Sequence, residues 1–125
     1  IGAITRLQRL KTGELIAFSC EAGPILGKQP AEIRHRLQKY AHDLGLAFQI
    51  ADDLLDAEGT EAEVGKSVGR DADAGKATFV SILGGQRARA QAGLLADQAA
   101  RHLDLFGEKA KLLRDVARFV VERRA

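Results

Sequence analysis

The chain has 125 residues, 46% apolar, 29% charged and 5% aromatic, the balance of an ordinary globular domain or part of one. Nineteen Lys and Arg against 17 Asp and Glu leave a net charge of +2, too little to predict a nucleic-acid partner, which needs a clustered basic face. No apolar run is long enough for a membrane span, no secretory signal opens the chain, and a lone Cys20 closes no internal disulfide, so a reducing, cytoplasmic setting is expected.

Ala, Leu, Arg, Lys, Gln and Glu dominate and there are only two prolines, so helix is expected throughout. The spacing of Ile4, Leu7, Leu15 and Phe18 predicts a first helix over residues 1–22, interrupted at Gly23 and Pro24, with a short helical piece over 25–27. A second helix is predicted from Pro30, a residue suited to a first helical turn. Ile33, Leu37, Tyr40, Leu44, Ala47, Ala51 and Leu54 follow in steps of four and three, an apolar stripe that should make this helix long and buried. It should stop near Gly59. A loop rich in Gly, Asp and Lys is expected from there to Lys76, and connections of that length are disproportionately functional. Further helices are predicted over 78–83, 86–106 and 108–124, with a break at Gly84-Gly85. The predicted class is all-α, most economically part of a helical bundle. The chain holds no Met and begins at Ile1, so it is expected to be a piece of a longer protein. Half a bundle exposes apolar faces, which predicts association with the remaining half or with a second copy as a homodimer.

The chemistry concentrates at the end of the long helix, in Phe48-Gln49-Ile50-Ala51-Asp52-Asp53-Leu54-Leu55-Asp56. Asp52 and Asp56 are four apart and share a helical face, with Asp53 one position round and Gln49 one turn earlier. Three carboxylates near a helix C-terminus repel one another and the macrodipole, each interaction costing roughly 0.3–1 kcal/mol. A hard divalent cation offsets that, and Mg2+ binds through one or two carboxylates plus substrate phosphates. A solvated acidic turn would show the same isolated pattern. The distinguishing feature is the company: Lys11-Thr12-Gly13, Gly65-Lys66, and Asp71 with Gly75-Lys76-Ala77-Thr78. Lysines and glycines facing acids across a loop fit a polyanion and a metal held between them.

Together these segments resemble the trans-isoprenyl diphosphate synthase (polyprenyl synthetase) family, most like its bacterial farnesyl diphosphate synthase branch. Lys11-Thr12-Gly13-Glu14-Leu15 is similar to its KTG-x-L segment, and Gly45-Leu46-Ala47-Phe48-Gln49 with Asp52-Asp53-Leu54-Leu55-Asp56 to its G-x-x-FQ-x-x-DD-x-x-D motif. The resemblance implies the C-terminal part of the isoprenoid synthase bundle and a Mg2+-dependent, head-to-tail condensation of isopentenyl diphosphate with an allylic diphosphate. It implies Asp52 as the direct metal ligand, with Asp53 and Asp56 as outer ligands. Lys11, Lys66 and Lys76 would neutralise the allylic diphosphate. Thr12 and Gln49 would lie beside the reacting carbons. Arg123 and Arg124 are similar to a basic tail that closes over the homoallylic diphosphate. The family's first aspartate-rich motif, the arginines after it and the N-terminal basic residues have no counterpart in these 125 residues. The chain is therefore expected to be the C-terminal half of one domain, inactive without the N-terminal half, which also holds the product-length determinants.

His35, His42 and His102 have no metal-ligand company in the sequence and are expected at the surface. A class I terpene cyclase also uses DDxxD with magnesium, but gives no reason for the Lys11-Thr12 and Gly75-Lys76-x-Thr78 segments. A non-catalytic helical subunit of a prenyltransferase fits intact motif residues less well than a fragment of an enzyme does.

Overall fold

The computed structural model describes residues 2–62 and 78–123. Among them there is no strand, and the all-α expectation holds. The elements are α1 (Gly2–Gln8), a π-helical turn (Arg9–Gly13), α2 (Glu14–Leu26), α3 (Ala31–Ala62), α4 (Phe79–Leu83), α5 (Gly85–Arg101), a 3-10 segment (Asp104–Ala110) and α6 (Lys111–Glu122).

The first predicted helix is thus two helices joined through a π-helical turn, and it runs further than residue 22. Gly23 and Pro24 do not interrupt it. Pro24 lies in the last turn, where it forfeits the hydrogen bond to the Cys20 carbonyl, and its ring is buried. The helix ends instead in a Schellman arrangement: Gln29 N–H donates to Pro24 O at 2.9 Å and Lys28 N–H to Ile25 O at 3.1 Å. Lys28 takes the left-handed conformation there, φ 55°, a place glycine usually fills.

Helix α3 is the spine. Pro30 precedes it, its carbonyl accepting from Ile33 and Arg34 N–H at 3.1 and 3.2 Å. The predicted stop at Gly59 does not occur, and the helix continues to Ala62. A single helical glycine costs about 1 kcal/mol, and the adjoining Glu58 is tied across to Arg89 of α5. The stripe faces the core as predicted, with Tyr40, Leu44 and Ala51 exposed by only 1%, 8% and 5%.

Two clusters form that core. Tyr40, Leu44 and Ala51 meet Ala96, Ala99 and Leu103 together with Ala117 and Val120 of α6. Further along, Ala47, Ile50 and Leu54 meet Ile4, Phe79, Ala88, Ala92 and Leu95. The early part of α3 therefore touches the late part of α5, and the reverse, so the two helices run antiparallel. Four of the five buried side chains of α5 are alanines, small enough to let the helix axes approach closely. Tyr40 fastens the third helix to this pair, its hydroxyl donating to Leu113 O at 2.8 Å.

Helix α4 begins one residue later than expected, at Phe79, because Thr78 is its N-cap. The Thr78 and Ser81 side chains bond each other's backbone N–H in a capping box. The break at Gly84 is confirmed: φ 84° and ψ 157° are backbone that favours glycine. The helix expected over 86–106 stops at Arg101. Leu103 is fully buried, and Gly107 (φ 60°) turns the chain into α6.

Candidate functional site

The acidic motif lies in the second half of α3, flanked by the start of α4, the first turns of α5 and the end of α6. Asp52 is half-exposed at its carboxylate, Asp56 is exposed, and both open onto a cleft of about 1020 Å³ that Arg89 and Arg123 also line. Asp53 turns away from the cleft: its Oδ2 accepts from the Phe79 N–H at 3.4 Å. That amide is one of the unsatisfied donors of a helix start, so Asp53 holds α4 against α3. Among the described residues no three metal-ligating side chains converge. Two carboxylates one turn apart on one face are nonetheless the donor set that Mg2+ takes when phosphate and water complete its shell. Asp52 and Asp56, which line the cleft, fit the ion, and Asp53 also bonds the start of α4.

Arg123 is the best-defined cation of the site. Its guanidinium lies over the Phe48 ring, 4.9 Å from the centroid, and its Nη2 is 3.9 Å from Asp52 Oδ1. Its Nε–H donates to Val120 O at 3.3 Å. The side chain is only 16% exposed, yet Nη2 is buried without a hydrogen-bond partner among the described residues. A buried N–H left open costs about 1–3 kcal/mol, and the group lies next to a carboxylate in a polar cleft. The sequence offered Arg123 as part of a basic tail for the homoallylic diphosphate; what it did not show is the Phe48 ring, against which the guanidinium is held.

The Lys-Thr-Gly segment is the π-helical turn. Such turns are rare and frequent at functional sites; here the wider turn changes the helix phase between Ile4, which is buried, and α2. The turn is pressed onto α3 at a glycine pair. A Cβ built on Gly45 would lie 3.4 Å from Gly13 Cα and 3.7 Å from Ile16 Cδ1. The two sequence motifs are thereby brought together: Thr12 is half-buried and Gln49 is 6% exposed. Gln49 does not line the cleft that Asp52 opens onto. The backbone of Lys11 is in the turn, but its side chain, with Lys66, Lys76 and Arg124, lies outside the described residues, as does most of the loop expected over 59–76.

One histidine departs from expectation. His35 and His42 are exposed, but His102 Nε2 lies 2.9 Å from Asp43 Oδ2, with side-chain exposures of 26% and 12%. The pair joins the end of α5 to α3. Asp43 went unnoticed in the sequence, although an acid heading the apolar row Ala47, Ile50 and Leu54 was a signal that a partner awaited it. Cys20 is half-buried, and that burial, with Glu21 beside it, pushes its thiol pKa up. It has no role at the site.

The polyprenyl synthetase family's model matches residues 3–116. The chain is 39% identical over 113 residues to a geranylgeranyl diphosphate synthase of Cyanophora paradoxa, covering 90% of this chain and 38% of that one. It is 40% identical over 97 residues to a farnesyl diphosphate synthase of Geobacillus stearothermophilus, covering 78% and 33%. Among solved structures, an FPP/GFPP synthase from Zymomonas mobilis superposes with a TM-score of 0.82 at 52% identity, over 96% of this chain and 38% of that chain. The chain thus spans between a third and two-fifths of the length of these relatives.

Proposed function

Since the chain belongs to the polyprenyl synthetase family, we propose that the protein containing it joins isopentenyl diphosphate head-to-tail to an allylic diphosphate, giving a short-chain product of farnesyl length. The observation that carries this reading is the cleft that Asp52, Asp56 and Arg123 line together. An arrangement of two acids and one held cation is suited to a metal-bound polyanion.

In the reaction the allylic C–O bond breaks and its electron pair leaves with the diphosphate. The resulting carbocation is attacked by the isopentenyl double bond, forming a C–C bond, and a proton is then lost. Bound Mg2+ supplies Lewis-acid stabilisation of the departing diphosphate, and Asp52 with Asp56 would hold it. The Arg123 guanidinium, kept in place by the Phe48 ring, adds positive charge for the phosphate oxygens. Lys11, Lys66, Lys76 and Arg124 add positive charge around the same diphosphates. Thr12 and Gln49 lie beside the reacting carbons, where their oxygens favour the cation. The exposed Leu15 and Phe18 on α2 and Leu112 and Phe119 on α6 support association with further helices of the same enzyme or with a second copy. No helix of the described residues is long and apolar enough to cross a membrane.

The test is radiolabelled prenyl transfer by the full-length enzyme with and without Mg2+. Asp52→Ala is expected to lower turnover at least a hundredfold, about 2.7 kcal/mol of lost transition-state stabilisation, and Asp56→Ala markedly less. Near-normal turnover in both variants would remove the assignment.

A further inference from the structure

The three carboxylates of the acidic motif divide between two sides of α3. At about 100° per residue, Asp56 is about 40° round the helix from Asp52, and Asp53 about 100°. Asp52 and Asp56 line the cleft, and Asp53 does not. Ile50 and Leu54, two residues before and after Asp52, are each about 160° round from it. Phe79 of α4 packs in the cluster that they form with Ala88, Ala92 and Leu95 of α5, and is only 4% exposed. Helix α4 thus lies on the far side of α3 from Asp52. Asp53 is the acid that its first amide meets, at 3.4 Å.

We propose that Asp53 is a positioning residue. It serves prenyl transfer by seating α4 behind the Asp52–Asp56 pair, through a hydrogen bond that a neutral acceptor could also make, and not by lending its charge to the metal. The inference rests on the prenyl-transfer reading above and gives the third acid of the motif a role apart from the other two.

Helix α4 has five residues, too few to persist without tertiary support. The N–H groups of its first turn have no partner within the helix. Thr78 Oγ1 accepts that of Ser81 at 3.0 Å, a local bond that survives in any placement of α4. The bond from Phe79 to Asp53 is tertiary and ties α4 to α3. The charges agree with this division. Three acids within one turn repel one another. An ion shared by Asp52 and Asp56 offsets the repulsion on one side, and the amides at the start of α4 favour a carboxylate on the other. With α4 released, Phe79 no longer covers Ile50 and Leu54, and the turn that carries the acidic pair gains freedom to shift.

The experiment compares Asp53→Ala, Asp53→Asn and Asp52→Ala in the full-length enzyme. Without metal, Asp53→Ala should lower the Tm seen by circular dichroism by about 2–4 °C, and Asp53→Asn should recover most of that loss. On adding Mg2+ with inorganic diphosphate, Asp53→Ala should keep the rise in Tm of the unsubstituted protein, whereas Asp52→Ala should show a smaller one. In radiolabelled prenyl transfer, Asp53→Ala should turn over about tenfold more slowly. Asp53→Asn should restore most of that rate, and neither variant should change the half-saturating Mg2+ concentration. Asp52→Ala should raise that concentration at least about tenfold. If Asp53→Asn is as slow as Asp53→Ala and both need more Mg2+, Asp53 is a metal ligand and the proposal is overturned. A metal-free Tm that is unchanged or raised in Asp53→Ala, as relief of repulsion alone would give, overturns it too. Should Asp53→Ala not fold, Asp53→Asn decides by its half-saturating Mg2+ concentration. No prenyl product from the unsubstituted enzyme would instead remove the prenyl-transfer reading, and with it any part for Asp53 in that reaction.

Discussion

Replacing Tyr40 by phenylalanine keeps the ring in the core and removes one hydroxyl, the one that donates to Leu113 O at 2.8 Å. Net loss of such a bond is about 0.5–1.5 kcal/mol, with Leu113 O, which lies within α6, keeping its helical role. At pH 7 the variant should therefore be about 1 kcal/mol less stable. High pH reverses the order. Burial first, and then the neighbouring Cys20, raise the Tyr40 phenol above its ordinary 10.0. The folded chain thus holds this proton to higher pH than the unfolded chain. Its contribution is present in full below about pH 10 and declines above it, by up to about 1.4 kcal/mol per pH unit. By pH 11 the unsubstituted chain has lost about 1.4 kcal/mol from this group, and the phenylalanine variant none. Urea unfolding of both at pH 7, 9 and 11, followed by helical circular dichroism, should show the gap close and change sign near pH 11. Tyr40 is the chain's one tyrosine and there is no tryptophan, so phenolate absorbance reports the same event directly. A gap unchanged between pH 9 and 11, or phenolate appearing in the folded chain at its ordinary pH, would refute the reasoning.

His102→Ala leaves the nearly buried Asp43 without its 2.9 Å partner and should cost about 1.5–3 kcal/mol, seen as a Tm several degrees lower, whereas His42→Ala should change nothing measurable. Gly45→Ala places a methyl at ordinary contact distance from Gly13 and Ile16 and removes a helical glycine, so it should stabilise by up to about 1 kcal/mol. Gly45→Val overfills the same crossing and should destabilise by about 1–3 kcal/mol; equal Tm values for the two variants would contradict a close glycine contact there. Lys28→Gly relieves a left-handed backbone and should raise stability by about 1 kcal/mol in chemical denaturation.

That the chain is helical, that residues after Pro30 form its longest buried helix, and that Asp52 and Asp56 share a face were all legible from residue pattern. Those features are local, set by a period of 3.6 and by the propensities of neighbouring residues. Helix ends were read less well wherever a distant contact decided them. Gly59 looked like a stop, yet the helix carries on past it with Glu58 held by Arg89 thirty-one residues away. Pro24 looked like a break, yet burial keeps it inside a helix. Roles within the acidic motif were likewise undecided, because spacing alone treats its three carboxylates nearly alike. Asp53 meets the start of α4, while Asp52 and Asp56 line the cleft. His102 read as a surface residue for the same reason, since its partner, Asp43, is remote in sequence and adjacent only once α5 lies antiparallel on α3. Local pattern fixes which face a residue takes, but only packing between helices decides what stands opposite it, and the charge, burial and reactivity of a site depend on that opposite group.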